Sequence, residues 1–213
     1  MRLYNYWRSS ASWRVRVALH WKGLPFEYVP VNIVDREQTG APHRARNPMQ
    51  QVPALEVDDD GATVVLGQSL AILEYLEERH PAPPLLPAGR VARAQVRQLA
   101  ECVNSGIQPF QNLPLLALVK DELGGDGPAF AARFNLRGLT ALEELAARTA
   151  GRFLHGDAPT IADVCLVPQL YSARRFGVDL AAMPTLVRVD AACAELPAFA
   201  AAHPDRQPDA PRK

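Results

Sequence analysis

The chain of 213 residues is 48% hydrophobic and 22% charged, so it is large enough for one large or two small domains with a substantial apolar core. Its 23 basic and 23 acidic side chains cancel. A neutral chain with scattered charge is not typical of a protein that binds nucleic acid or an anionic membrane, and we expect neither partner.

The cysteines and the N-terminus indicate the compartment. Cys102, Cys165 and Cys193 lie far apart and form neither a C-x-x-C motif nor a zinc-ligand spacing, so we expect no metal site. The N-terminus lacks the apolar segment of a signal peptide, and no apolar run approaches the length of a membrane span. Together these features predict a soluble, cytoplasmic protein.

The first 80 residues alternate strand and helix patterns. Predicted strands span residues 3–6, 26–32, 54–57 and 63–66. Predicted helices span residues 13–22 and a segment that begins at Ser69, while residues 35–47 are polar and irregular or helical. The order β-α-β-(α)-β-β-α predicts an α/β domain with a mixed sheet over residues 1–80.

A proline-rich segment separates this domain from a helical one. Residues 81–87 include four prolines, which remove N–H donors and predict a stiff linker. Helical patterns then cover residues 91–119, 129–149, 161–176 and 186–194. We therefore predict an all-α domain over residues 88–213, in which the tail from Pro204 lies on the surface without regular structure.

The segment Ser-Ser-Ala-Ser-Trp-Arg-Val-Arg at 9–16 joins the first strand to the first helix. Hydroxyl donors beside the free N–H groups of a helix start favour an anion such as a phosphate, a carboxylate or a thiolate. The alternative is that one serine only caps the helix.

Two further segments of the first domain carry similar signals. Pro53 precedes the third strand, and it indicates either a strand start or a cis peptide bond that exposes the backbone of Val52 to an extended peptide. Gln68 and Ser69 precede the next helix, where Ser69 is a natural N-cap and a carboxylate would be stabilised. Each segment alone has a plain structural alternative, an edge proline or an ordinary cap.

The second domain contains a capping box. Thr160 and Asp163 have the spacing at which each side chain bonds the other's backbone N–H. Pro168 follows inside the same helical pattern, where proline costs about 3 kcal/mol unless a kink is required. We interpret both features as structural.

Six motifs together carry a resemblance. They are S-S-x-S-W-R-V-R at 9–16, N-P-M-x-Q-V-P-A-L at 47–55, Q-S-L-A-I-x-E-Y-L-E at 68–77, I-Q-P-x-Q-N-L at 107–113, G-D-x-x-T-I-A-D at 156–163 and L-V-P-Q at 166–169. In this order they resemble the zeta class of glutathione transferases over nearly the whole chain. The resemblance implies a thioredoxin-like N-terminal domain, an all-helical C-terminal domain and a homodimer.

The resemblance also implies roles for individual residues. Ser9 would stabilise the glutathione thiolate, with Ser10 beside it as a second donor. The residues implied in holding the rest of glutathione are Gln51, Val52, Pro53, Gln68 and Ser69. The residues implied in the acceptor site, which would take a small diacid, are Arg8, Gln108, Asn112 and Arg175. One residue departs from the family, since Ala11 stands where a cysteine is usual.

The implied reaction is glutathione-dependent isomerisation of maleylacetoacetate to fumarylacetoacetate, a step of aromatic amino acid or aromatic-acid catabolism, by reversible thiolate addition. Three alternatives stay open. They are the same isomerisation of maleylpyruvate, transfer of glutathione to small α-halo acids, and a non-catalytic binding protein that retains the fold. Ala11 removes a thiol from the motif, which weakens any disulfide-forming alternative and leaves the serine-based one intact.

Overall fold

The computed structural model describes residues 1–211, which form two compact units. The first contains Met1–Pro84 together with the C-terminal segment from Leu196, and the second contains Leu85–Glu195. This division differs from the predicted one, in which residues 88–213 form one helical domain. The last two residues of that predicted domain lie outside the described residues.

The first unit is built on a mixed four-stranded sheet. Its strands are β1 (Arg2–Asn5), β2 (Glu27–Pro30), β3 (Ala54–Asp59) and β4 (Ala62–Gly67). They lie in the order β2-β1-β3-β4, with β1 parallel to β2 and β3 antiparallel to both of its neighbours. The mixed sheet predicted from the strand and helix order is therefore confirmed.

The helices of the first unit are α1 (Ser10–Trp21), α2 (Ala41–Arg46), α3 (Ser69–Arg79) and α9 (Pro197–Ala202), with a 3₁₀ turn at Glu37–Thr39. α1 begins three residues before the predicted start because the serine-rich segment is itself helical. It packs against α3 and α9. Apolar side chains of α1 such as Val15 and Leu19 are fully buried, as are Leu3 and Leu55 of the sheet.

The prediction that the tail from Pro204 lies on the surface without regular structure was wrong for its first four residues, 204–207. The chain forms α9, then a 3₁₀ turn at Pro204–Arg206, and both Pro204 and Gln207 are buried. The Gln207 Nε2 donates to the carbonyls of Ala201 at 3.0 Å and His203 at 2.9 Å. These contacts order a segment whose proline-rich composition alone is typical of a loop.

A buried ion pair holds the start of the linker to the first unit. The Lys22 Nζ lies 2.8 Å from Glu77 Oε2, and the lysine side chain is fully buried. The same nitrogen donates to the carbonyls of His80 at 2.6 Å and Pro83 at 3.1 Å. Lys22 therefore joins α1 to the end of α3 and to the proline-rich segment after it.

The second unit is helical. Its helices are α4 (Arg90–Asn104), α5 (Leu113–Asp121), α6 (Gly127–Ala146), α7 (Ile161–Arg175) and α8 (Pro184–Ala194). The single helix predicted over 91–119 was wrong, because a 3₁₀ turn at Gln108–Gln111 separates α4 from α5. Gly106 lies so close to α4 that an added Cβ would be 2.6 Å from the Cys102 carbonyl oxygen, and Pro109 lacks an N–H.

The predicted capping box of α7 is confirmed. The Thr160 N–H donates to Asp163 Oδ2 at 2.7 Å, and the Leu154 N–H donates to the other carboxylate oxygen at 2.8 Å. Burial raises the pKa of Asp163 to about 6 despite these donors. Pro168 lies inside α7, as predicted.

No helix within residues 1–211 combines the length and the apolar character that crossing a membrane requires. The described part of the chain also contains no group of three or more His, Cys, Asp or Glu residues placed to hold a metal ion.

Candidate active site

The sheet register brings three chain segments to one edge of the first unit. Ala54, the first residue of β3, pairs with Tyr4 near the end of β1 and with Gly67 at the end of β4. The turn after β1, the loop before β3 and the residues after β4 therefore leave the sheet at the same edge. These segments contain all the residues that the sequence predicts for the glutathione site.

Ser9 occupies the N-cap of α1. Its Oγ accepts the Ser12 N–H at 3.2 Å, which is the capping role that the sequence left as the alternative. A hydroxyl that accepts one bond still has a proton to donate, so capping does not exclude a bond to an anion. Ser10 is the first residue of the helix and is buried, and no acidic residue lies in the first turn. The helix start is therefore suited to a negative charge.

The loop before β3 is held by two side chains of the first unit. The Gln51 carbonyl oxygen lies 2.9 Å from the Asn47 Nδ2 and 2.9 Å from the His43 Nε2. The Val52–Pro53 peptide bond is cis, one of the two possibilities that the sequence left open. Because a carbonyl only accepts hydrogen bonds, His43 carries its proton on Nε2.

The start of α3 differs from the prediction. Gln68, with a φ of 64°, occupies the N-cap, and Ser69 is the first helical residue rather than the cap. The Ser69 side chain is buried, and its Oγ accepts the Arg14 Nη1–H at 3.1 Å. The Gln68 Nε2 lies 3.5 Å from the Gln51 Oε1, so the loop before β3 and the start of α3 are neighbours.

Sequence reasoning missed the buried arginines of α1. Arg14 and Arg16 are both fully buried, and each lies on the same apolar helix. Two arginines within an otherwise apolar helical pattern were the available signal, since a buried guanidinium requires hydrogen-bond acceptors. The Arg14 guanidinium therefore places a positive charge at hydrogen-bond distance from the Ser69 hydroxyl.

The residues predicted for the acceptor site lie in both units. In the first unit, Arg8 is half-buried, with its guanidinium 5.3 Å from the centre of the Trp7 ring. In the second unit, the Gln108 Nε2 donates to the Asn112 Oδ1 at 2.7 Å across the 3₁₀ turn. Arg175 is exposed in the last turn of α7, and its guanidinium lies 4.8 Å from the Phe176 ring centre.

A network of buried amides supports that 3₁₀ turn. The Gln169 Nε2 donates to Gln111 Oε1 at 2.9 Å and to Asn135 Oδ1 at 2.6 Å, and the Asn135 Nδ2 donates to the same Gln111 oxygen at 3.1 Å. Gln169 belongs to the L-V-P-Q motif and Gln111 to the I-Q-P-x-Q-N-L motif. The network joins the two motifs in space, and the sequence alone did not connect them.

The cysteines of the chain do not provide a reactive thiolate. Burial raises the pKa of both Cys102 and Cys193, and Cys165 is fully buried. Ala11 leaves the start of α1 without a thiol. Thiolate chemistry at this helix start therefore requires the sulfur of a bound molecule.

Comparison with known proteins identifies the family. Residues 3–84 match the family model for the N-terminal domain of glutathione S-transferase, and residues 136–212 match the model for its C-terminal domain. The chain belongs to the glutathione S-transferase family and has the fold predicted from the resemblance.

Similar proteins place it more narrowly. The chain is 46% identical to maleylacetoacetate isomerase of Rattus norvegicus, over 98% of this chain and 94% of the relative. It is also 46% identical to maleylpyruvate isomerase of a Ralstonia species, over 98% and 99% respectively. These relatives match nearly the whole chain, which supports the zeta-class resemblance.

A solved structure agrees. Maleylacetoacetate isomerase of Anaeromyxobacter dehalogenans with bound GSH is 60% identical and has a TM-score of 0.92, covering 99% of this chain and 97% of that one. The same isomerase has been solved with dicarboxyethyl glutathione and citrate in its active site, at 59% identity, a TM-score of 0.92 and the same coverage.

Proposed function

We propose that this protein is a glutathione-dependent cis–trans isomerase that converts maleylacetoacetate to fumarylacetoacetate. The observation that carries the proposal is the sheet edge at which the start of α1, the backbone of Val52 and the start of α3 converge. The relatives named for this reaction are similar over nearly the full chain, which supports it.

The residues at this edge fit glutathione. The backbone of Val52, before the cis Pro53, would pair with the cysteinyl part. Gln68 and Ser69 would hold the γ-glutamyl carboxylate, with the Arg14 cation bonded beneath Ser69. Gln51 would lie near the glycyl end.

Ser9 and the helix start are sufficient to stabilise a thiolate at neutral pH. A free thiol has a pKa of about 8.5, and lowering it by two units requires about 2.7 kcal/mol of preference for the anion. A hydrogen bond from the Ser9 hydroxyl to a charged sulfur would contribute roughly 1.5–3 kcal/mol. The start of α1 would contribute roughly another 0.3–1 kcal/mol. Ser10 would act as a second donor.

When bound, glutathione supplies a thiolate that adds reversibly to the cis double bond, so that rotation and elimination give the trans product. Arg8 and Arg175 would hold carboxylates of the diacid, because guanidinium groups bind planar carboxylates with paired donors. Gln108 and Asn112 would line the acceptor site with amide groups. No histidine is needed to deprotonate the glutathione thiol, since Ser9 and the start of α1 would stabilise the thiolate.

A second candidate is isomerisation of maleylpyruvate. The Ralstonia relative named for that activity is as similar to this chain as the rat relative named for the longer diacid. The segment 111–116 adds no cation, which favours the larger substrate. Transfer to small α-halo acids and a non-catalytic role remain as outcomes of the test.

The deciding experiment measures isomerisation of maleylacetoacetate and maleylpyruvate, each with and without glutathione. We expect turnover of maleylacetoacetate that requires glutathione and does not consume it. Faster turnover of maleylpyruvate would support the second candidate. Consumption of glutathione with an α-halo acid alone would indicate a transferase, and no turnover with tight glutathione binding would indicate a binding protein.

Ser69→Ala is expected to weaken glutathione binding by about 1–3 kcal/mol, because it removes a bond to a charged carboxylate. Calorimetry on the intact protein should show one site per chain in the wild type and a correspondingly larger Kd in the variant. Ser105→Ala is a matched control, since Ser105 is exposed and its hydroxyl donates to the Glu101 carbonyl of α4, remote in sequence from the proposed site residues of the first unit. Wild-type affinity in Ser69→Ala would remove Ser69 from the site.

We also propose a homodimer. The resembled family pairs each N-terminal domain with the helical domain of its partner, and a closed two-fold interface is the simplest arrangement. The first unit exposes 64% of Met49 and 39% of Val64, which supplies apolar surface for such an interface. Sedimentation at micromolar concentration should give twice the chain mass of 23.3 kDa. A 23.3 kDa species alone would contradict the proposal.

We also propose that the protein is located in the cytoplasm. All three cysteines are free in the structure, as expected for a reducing compartment. We assign the proposed reaction to the breakdown of aromatic compounds, as the resemblance implies. Fractionation of cells that produce the protein should place it with cytoplasmic enzymes.

A further inference from the structure

The turn between β1 and α1 determines where the Ser9 hydroxyl lies. The Ser9 N–H donates to the Tyr6 carbonyl at 3.0 Å, which closes the turn over Trp7 and Arg8. A four-residue turn is closed by one backbone hydrogen bond, from its fourth residue to its first. The remaining backbone groups of Trp7 are held from elsewhere in the first unit.

Arg16 holds the carbonyl side of the turn. Its fully buried guanidinium donates to the carbonyls of Trp7 at 2.8 Å and Tyr6 at 3.3 Å. The same group donates to the side chain of Asn5 at 2.9 Å and to the carbonyl of Ala202, the last residue of α9, at 3.2 Å. One side chain of α1 therefore joins the turn to the C-terminal segment.

Asp209 holds the N–H side of the turn. Its Oδ2 accepts the Trp7 N–H at 3.0 Å, and its Oδ1 accepts the hydroxyl of Tyr28 from β2. With Arg16 on the carbonyl, Trp7 is bonded on both sides of its backbone. The N–H bond is made by Asp209, which follows α9, and the carbonyl bond is made by Arg16, which is itself bonded to Ala202 at the end of α9.

We propose that Arg16, Tyr28 and Asp209 form a tail clamp, through which the C-terminal segment positions the turn that carries Ser9. The inference rests on the proposed function and adds positioning residues to it. None of the three members is proposed to contact glutathione or the diacid. Each acts through the backbone of Trp7.

The effect on activity follows from the geometry of the Ser9 bond. A hydroxyl stabilises a thiolate only at hydrogen-bond distance, and small displacements of a catalytic group cost large factors in rate. Loss of the Asp209 bond would release the N–H side of the Tyr6–Trp7 peptide unit, and the Ser9 N–H is bonded to the carbonyl of that same unit, so a shift of the unit would move Ser9. Binding of glutathione through Val52, Gln68 and Ser69 would change little.

The first experiment measures hydrogen exchange at the Trp7 amide together with kinetics. Asp209→Ala should accelerate exchange at that amide, lower kcat by about 10-fold and raise the pKa of bound glutathione, with the glutathione Kd changed by less than about 3-fold. Asp209→Asn retains an acceptor oxygen and should restore part of kcat. Tyr28→Phe removes only the second bond of Asp209 and should give a smaller effect in the same direction. Asp205→Ala, an exposed carboxylate of the same segment, is the control and should match the wild type.

The second experiment tests whether the clamp acts through Ser9. In a Ser9→Ala background, Asp209→Ala should lower the remaining activity by less than about 2-fold, because the positioned hydroxyl is already absent. An equal, about 10-fold loss in both backgrounds would overturn the proposal and indicate a general structural effect. Faster amide exchange with unchanged kcat and thiol pKa would also overturn it.

The outcomes separate the clamp from the proposed function. If the wild type shows no glutathione-dependent turnover, the proposed function fails, while the Trp7 amide exchange still tests the contact itself. If Asp209→Ala does not fold, Asp209→Asn and Tyr28→Phe carry the test. Wild-type kcat and wild-type amide exchange in both of those variants would overturn the clamp.

Discussion

Ser9→Ala is expected to lower kcat/KM by about 10²-fold or more and to raise the pKa of bound glutathione, with only a modest change in glutathione affinity. The bond from the hydroxyl to the sulfur strengthens as negative charge forms, so its loss affects the reacting state more than binding. The absorbance of the bound thiolate, followed against pH in the wild type and the variant, measures the pKa directly.

The capping role of Ser9 requires its own control. Ser9 accepts the Ser12 N–H, so Ser9→Ala also costs about 1 kcal/mol of helix stability. Ser9→Asp keeps the cap but has no proton to donate and adds a negative charge, and it should lose activity as completely as Ser9→Ala. Ser9→Thr keeps both the cap and the donor and should retain most of the activity.

The neighbouring positions test the choice of serine. Ser10→Ala should lower activity less than Ser9→Ala, and Ala11→Cys should bring no gain. A thiolate titration unchanged in Ser9→Ala but shifted in Ser10→Ala would show that Ser10 is the sulfur ligand. If neither variant shifts the titration, the anion is stabilised by the start of α1 or by another group, and the assignment to a serine hydroxyl is wrong.

Lys22→Met is expected to lower the free energy of unfolding by about 3–5 kcal/mol, because it removes the cation beside the buried Glu77 carboxylate. It also removes two donors from the carbonyls of His80 and Pro83. Urea unfolding followed by circular dichroism measures the loss. Lys120→Met, an exposed lysine in α5, is the matched control and should change stability by less than about 0.5 kcal/mol.

The paired variant separates charge burial from lost packing. Lys22→Met combined with Glu77→Leu should recover most of the lost stability, since apolar residues of similar volume replace buried pairs well. If Lys22→Met alone costs under 1 kcal/mol, the ion pair does not hold the linker segment to the first unit.

The sequence alone determined features that depend on neighbouring residues. The Thr160–Asp163 capping box, the hydroxyl-rich start of α1 and the strand and helix order of the first 80 residues are confirmed. Each is a local pattern, in which a side chain acts on backbone within a turn or an apolar residue recurs with a fixed period. The six motifs were enough to indicate the family as well, which the comparisons confirm.

The predictions that were wrong concern segments whose local structure depends on contacts with residues distant in the sequence. The sequence predicts residues 107–113 as part of a long helix. In the structure Gly106 packs on the Cys102 carbonyl, and the buried Gln169 donates a hydrogen bond to Gln111 of a separate 3₁₀ turn. The sequence predicts Ser69 as the N-cap, but the helix begins at Ser69 itself, and its hydroxyl oxygen accepts a hydrogen bond from Arg14. Local patterns do not contain these partners.

Only the tertiary structure shows which side chains hold the turn between β1 and α1 that carries Ser9. Composition predicts an irregular tail after residue 203, yet Asp209 bonds the Trp7 N–H across 202 residues of sequence. Arg14 and Arg16 are tolerated in an apolar helix because acceptors from α3, β1 and α9 converge on them once the first unit has folded. A buried charge needs partners that are brought together by packing, and no sequence period records where those partners come from.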